Sequence, residues 1–270
     1  MRNYDLDFLK KFSMVIGFLM ALTLILIVFA HHLQETRLPL SVDPAVAKRT
    51  EARIAPADHA LSIDGPAGLI EAACDEPEAD AAPIDVVAIV CHPLPTEGGT
   101  MHNKVVTMTA RALRECGAHT VRFNFRGVGQ SAGTFDEGVG EADDLRAVVA
   151  WARTQFPSHT VWLAGFSFGA YVSYKCAGEL KPGLLLSIAP PVGRSWNFEG
   201  IAHPNCPWIV IQGEEDEIVD AQAVKAWVAT LRPQPEFVPM SDTSHFFHRK
   251  LMDLRGAIKA AVRPWLPTNA

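Results

Sequence analysis

Residues 161–170 read Val161-Trp162-Leu163-Ala164-Gly165-Phe166-Ser167-Phe168-Gly169-Ala170, an apolar run that stops at a serine set between two glycines. Val161–Ala164 is short, apolar and opened by a β-branched residue, as a buried parallel strand requires. From Ala170 to Cys176 the spacing becomes compatible with a helix. The serine therefore falls on a strand-to-helix turn, the setting of a nucleophile elbow. Such a turn is so tight that side chains two positions either side of the serine would collide, which accounts for Gly165 and Gly169. It also brings the hydroxyl to the carboxyl end of a sheet, beside a helix N-terminus whose free N–H groups receive negative charge.

On both sides of this turn, strand-like and helix-like runs alternate, the pattern of a parallel sheet covered by helices on both faces. Strands are expected at Val86–Cys91, His119–Phe125, Leu184–Ile188, Trp208–Ile211 and Glu236–Val238, the last stopped by Pro239. Helices are expected at Lys104–Cys116, Glu141–Phe156, Ala221–Leu231 and Phe247–Val262. Ahead of them, Ala60–Ile63 and Leu69–Ala73 flank Asp64-Gly65-Pro66 and read as an antiparallel hairpin at the sheet edge.

A chain of 270 residues, 49% hydrophobic and 20% charged, buries one large core. A formal charge of −6 with no Lys/Arg cluster argues against nucleic acid and for a small-molecule partner. Five cysteines with no Cys-x-x-Cys pair disfavour a disulfide framework or a zinc ribbon.

Phe12–Ala30 carries no charge, and only Ser13, Gly17 and Thr23 interrupt its hydrophobicity. As a helix it spans about 28 Å, close to the hydrocarbon thickness of a bilayer. A single transmembrane helix at 12–30 is the expectation, with residues 1–11 cytoplasmic, 31–59 a tether and 60–270 the folded domain. Arg2, Lys10 and Lys11 precede the span, so the positive-inside rule puts the domain on the non-cytoplasmic side, with the lipid bilayer as a partner. Two other readings stay open. Val28-Phe29-Ala30 resembles a signal-peptidase site, and a misassigned start codon would make the segment an extension and the chain cytoplasmic.

A serine hydroxyl is a poor nucleophile until a base takes its proton, so a histidine and an orienting acid are needed downstream. Trp208–Ile211 runs into Gly213-Glu214-Glu215-Asp216-Glu217-Ile218-Val219, and the next strand runs into Ser241-Asp242-Thr243-Ser244-His245-Phe246-Phe247-His248. Serine, acid and histidine then follow successive late strands, in the chain order of an α/β-hydrolase. Glu214, Glu215, Glu217 and Asp220 compete with Asp216, and His248 competes with His245 from a place expected inside the following helix.

With these pieces the chain resembles the α/β-hydrolase superfamily over about residues 60–265, and within it the small lidless bacterial hydrolases of the dienelactone-hydrolase-like group. The resemblance rests on Cys91-His92-Pro93-Leu94-Pro95, Gly98–Lys104, Arg122–Ser131, the elbow, the Gly213–Val219 loop and His245–His248. It implies an α/β-hydrolase fold with a mostly parallel sheet, helices on both faces and no large cap, here preceded by the transmembrane helix. By the same resemblance Ser167 is the nucleophile, Asp216 the acid and His245 the base. One oxyanion donor is the Phe168 N–H; the other is that of Leu94, because Pro93 and Pro95 have none. No cofactor and no metal are implied: His245-x-x-His248 lacks a third ligand, and Arg126–Ser131 lacks the full phosphate-loop spacing and reads as a loop under the site.

Only Pro191–Pro207 separates two of the strands, which leaves an open cleft rimmed by Phe166, Phe168, Trp196 and Phe198. The function expected is serine hydrolysis of carboxylic esters or thioesters through an acyl-enzyme. A serine peptidase or acyltransferase with the same triad, or a non-catalytic binding protein on the same fold, are the alternatives.

Overall fold

The computed structural model describes residues 59–267. Eight strands form one sheet: β1 (His59–Gly65), β2 (Gly68–Asp75), β3 (Val86–Cys91), β4 (His119–Phe123), β5 (Thr160–Phe166), β6 (Leu184–Ile188), β7 (Trp208–Gly213) and β8 (Glu236–Met240). Their spatial order is β1-β2-β4-β3-β5-β6-β7-β8. The β1–β2 hairpin lies at one edge, β2 pairs antiparallel with β4, and every pair from β4 to β8 is parallel.

Helices α1 (Lys104–Arg114), α2 (Gly140–Gln155), α3 (Phe168–Leu180), α4 (Ala221–Thr230) and α5 (Leu251–Val262) cover the sheet. Because side chains alternate along a strand, β3 feeds two cores. Val87, Ile89 and Cys91 join residues of α2, α3 and α4, whereas Val86, Ala88 and Val90 join those of α1 and α5. All six β3 residues are buried, as a strand with both faces covered must be.

Two boundaries differ from expectation. β8 continues through Pro239 to Met240, tolerated because β8 is an edge strand with one unpaired side. The last helix starts at Leu251 rather than Phe247, because Phe247 and Arg249 have φ of 53° and 59°, which no α-helix contains.

The fold class is corrected at its N-terminal part. Among the described residues no helix is long and apolar enough to cross a membrane. The longest, α2, has 16 residues, reaching only about 24 Å, and it carries Glu141, Asp143, Asp144, Arg146 and Arg153. The expected transmembrane helix at 12–30 lies outside the described residues, as do residues 1–11 and the stretch up to 58. The architecture of the described residues is thus a mostly parallel sheet with flanking helices and no cap domain. The expected membrane anchor, bilayer partner and non-cytoplasmic placement are corrected with it, since no membrane-spanning helix is present among the described residues to support them.

Candidate active site

β5 ends at Phe166 and α3 begins at Phe168, so Ser167 alone makes the turn. Its φ of 51° and ψ of −117° lie outside the favoured regions for an L-residue, a strain of roughly 1–3 kcal/mol that the surroundings must hold. The Ser167 N–H donates to the Ile188 carbonyl of β6 at 2.9 Å. The flanking glycines are required by contact: a Cβ on Gly165 would stand 2.2 Å from the Gly169 oxygen, and one on Gly169 2.3 Å from the Cys91 oxygen at the end of β3.

The loops after β7 and β8 meet this serine. Asp216 Oδ2 accepts from His245 Nδ1 at 2.8 Å, and His245 Nε2 lies 3.1 Å from Ser167 Oγ. A carboxylate only accepts, so Nδ1 carries the proton and Nε2 is the free acceptor facing the hydroxyl. Asp216 also accepts from Gln212 Nε2 at 2.9 Å and, through Oδ1, from the N–H groups of Ile218 and Val219 at 2.9 and 2.7 Å. Burial pushes its pKa up, but the His245 hydrogen bond and the Val219 and Ile218 N–H groups outweigh burial and hold the carboxyl below its ordinary value.

Three of the four competing acids are engaged elsewhere. Glu214 accepts from Ser241 Oγ at 2.6 Å, Glu217 from the His245 N–H at 3.0 Å, and Asp220 caps α4 through the Gln222 N–H at 2.9 Å. His248 sits in the turn before α5 with its ring 6.1 Å from that of Phe246, and it does not line the cleft.

Under the site, His92 is fully buried. Its Nε2 accepts from the Phe125 N–H at 3.0 Å, so its Nδ1 donates to the Pro93 carbonyl at 2.6 Å. Burial pushes its pKa down to about 4, against the Pro93 hydrogen bond, and the ring is neutral at ordinary pH. The ring thereby ties the loop carrying Leu94 to the end of β4. The segment after β4 is occupied in the same way: Glu71 Oε2 accepts from Asn124 Nδ2 and the Gln130 N–H at 2.8 and 2.7 Å, and Arg126 pairs with Asp144 at 2.8 Å.

A cleft of about 620 Å³ opens over Ser167 and His245, walled by Pro93, Leu94, Phe168, Trp196, Ile218 and Phe246. Of the residues expected at the cleft, Leu94, Phe168 and Trp196 line it, the Phe168 and Trp196 rings 4.7 Å apart. Phe166 and Phe198 do not line it. Phe166 packs against the His245 imidazole in a tilted arrangement with ring centroids 5.1 Å apart, and Phe198 packs on Tyr171, Tyr174 and Trp227. Ile218 and Phe246 were missed, although each follows closely on a residue of the triad, and both are more than a third exposed. Among the described residues no group of three or more His, Cys, Asp or Glu is placed to hold a metal ion.

The α/β hydrolase fold model matches residues 89–189. An α/β serine hydrolase without lid from Xanthomonas campestris is 62% identical, with 79% of this chain and 97% of that one covered and a TM-score of 0.76. The chain belongs to the α/β serine hydrolases. An α/β serine hydrolase homologue from Coxiella burnetii is 46% identical over 74% of this chain and 95% of its own, with a TM-score of 0.71. An uncharacterized protein of Rickettsia prowazekii is 35% identical over 73% of this chain and 86% of its own. As an α/β serine hydrolase the chain is a carboxylesterase-like enzyme that acts on esters. Among the described residues there is no cap, and the β6–β7 connection contains no helix.

Proposed function

We propose that Ser167, His245 and Asp216 carry out ester hydrolysis through an acyl-enzyme, with the N–H groups of Phe168 and Leu94 as the oxyanion hole. Ser167 Oγ attacks the ester carbonyl carbon as its proton passes to His245 Nε2. The carbonyl oxygen becomes an oxyanion, held by the two N–H groups. Phe168 is the first residue of α3, where an N–H has no intrahelical partner. Collapse breaks the bond to the alcohol oxygen, which leaves with the proton from Nε2. Water then attacks the acyl group by the same route, releasing acid and regenerating the serine. Asp216 holds the imidazole in the tautomer this requires and stabilises the imidazolium, without itself taking the proton.

The observation that carries this reading is the unbroken line Asp216 Oδ2, His245 Nδ1 and Nε2, Ser167 Oγ, with separations of 2.8 and 3.1 Å. The open cleft supports hydrolysis over acyl transfer, because solvent water reaches the acyl carbon directly. It also supports placing the chain, with its catalytic domain at 60–270, among the small lidless dienelactone-hydrolase-like enzymes, with carboxylic esters or thioesters of modest size as substrates. A fluorophosphonate probe tests the assignment. Wild-type protein is expected to label at one site and to lose ester turnover, whereas Ser167→Ala neither labels nor turns over. Equal labelling of the two proteins removes Ser167 from the role.

A further inference from the structure

The acid loop Gly213–Val219 and the base loop Ser241–His245 are joined by more than the triad bond. The Glu214 N–H donates to the Met240 carbonyl at 2.9 Å, the Glu215 N–H to the Thr243 carbonyl at 3.1 Å, and Ser241 Oγ to Glu214 Oε2 at 2.6 Å. Glu217 completes the set by accepting the His245 N–H through Oε2 at 3.0 Å. Consecutive carboxylates therefore hold one histidine at two points, Asp216 at the ring and Glu217 at the main chain.

We propose that Glu217 is a positioning residue for the base, fixing the His245 backbone so that its ring reaches Asp216 and Ser167 together. This rests on the assignment of His245 as the base. His245 sits in a turn rather than in a helix or strand, so no regular ladder holds its main chain. A ring bonded only at Nδ1 can pivot about that bond. Fixing the backbone N–H removes the pivot and sets the direction of Nε2. The bond is charge-assisted, and such bonds are roughly twice as strong as neutral ones. The acidic run after β7 is then part of the apparatus that aims the imidazole, not merely a solvated loop.

Three variants separate this role from a general effect of loop charge. Glu217→Ala deletes the acceptor, Glu217→Gln keeps an acceptor without charge, and Glu215→Gln removes a neighbouring charge whose side chain makes no bond among the described residues. Glu217→Ala is expected to lower kcat on the order of 10- to 100-fold with KM unchanged, the size of effect that a misplacement near 1 Å produces. Glu217→Gln is expected to recover most of that loss, and Glu215→Gln to behave as wild type.

The downfield imidazole proton shared by His245 and Asp216, read by proton NMR, reports the same placement without turnover. It is expected to broaden in Glu217→Ala and to stay sharp in Glu217→Gln. Wild-type kcat and a sharp proton in Glu217→Ala overturn the proposal, as does a Glu217→Gln variant damaged as badly as Glu217→Ala. Failure of the base assignment is distinguishable: it shows as a His245→Ala variant that keeps wild-type ester turnover.

Discussion

His92 serves two backbone groups with one ring, accepting from Phe125 and donating to Pro93, with no access to solvent. Protonation would turn the Nε2 acceptor into a donor facing an N–H, so the folded protein resists it and the pKa falls to about 4 from 6.5. The sign of the linkage follows. Between those values the unfolded chain binds a proton that the folded one does not, so the stabilisation is complete above pH 6.5 and is lost as pH falls toward 4. Its size is about 3 kcal/mol for a shift of roughly 2.5 units. Denaturant unfolding of the wild type is expected to show stability declining from pH 7 to pH 4.5. His92→Ala is expected to be less stable at pH 7, with Phe125 N–H and Pro93 O left unpaired, and to show a smaller decline. A variant with an undiminished slope would place the titration elsewhere, for example at His119, whose pKa burial also lowers. In the sequence His92 is marked only by its place in the segment after β3, and its bond to the Phe125 N–H depends on β3 and β4 being neighbours. Phe166 and Phe198 were misread as cleft walls because an aromatic residue near the serine satisfies a rim and a core equally well. Only the packing of Phe198 on Tyr171, Tyr174 and Trp227 separates the two.

The strand–turn–helix around Ser167 was the most legible element, since its apolar run, glycines and change of period are local signals. Its glycines do more than relieve a collision with each other. Gly165 faces the start of α3, whereas Gly169 faces the end of β3 and so fixes how closely the helix approaches the sheet. Gly169→Ala places a methyl carbon 2.3 Å from a backbone oxygen that no side-chain rotation can relieve. Moving α3 outward shifts the Phe168 N–H and Ser167 with it. Gly169→Ala is therefore expected to lower stability by about 1–3 kcal/mol, the usual cost of overpacking, and to depress kcat beyond what the lost folded fraction explains. Thermal unfolding together with fluorophosphonate labelling of the folded fraction checks both parts. Labelling at the wild-type rate would mean that the helix can retreat without moving the serine. The start of α5 was less legible. Phe247 and Arg249 carry no sequence mark of their left-handed backbone, and Phe247 is an apolar residue that fits a helical period well. It is fully buried in the α1 and α5 core, and that long-range packing holds the turn open ahead of the helix.

Alternation of continuous apolar runs with amphipathic ones reveals a sheet covered on both faces, but it carries no record of which strand lies beside which. The order β2-β4-β3-β5 reflects tertiary pairing between segments distant in sequence. The long-range bonds of Glu217 and Glu214 escape a linear reading for the same reason, because they depend on β7 and β8 being neighbours. One consequence of the shared sheet concerns the whole domain. Each central strand gives alternate residues to the two cores, so it cannot leave one without leaving the other. Leu145 on α2 and Ile258 on α5 are both fully buried, one in each core. Leu145→Ala and Ile258→Ala are each expected to cost about 2–5 kcal/mol through lost contact and residual cavity. With the sheet between them the two sites share no partner, so the double variant is expected to show the sum within about 0.5 kcal/mol. Guanidinium denaturation followed by far-UV circular dichroism and by tryptophan fluorescence should give coincident single transitions for all four proteins. If either single variant showed two transitions, the cores would melt separately, and the sheet would not be the unit of cooperativity.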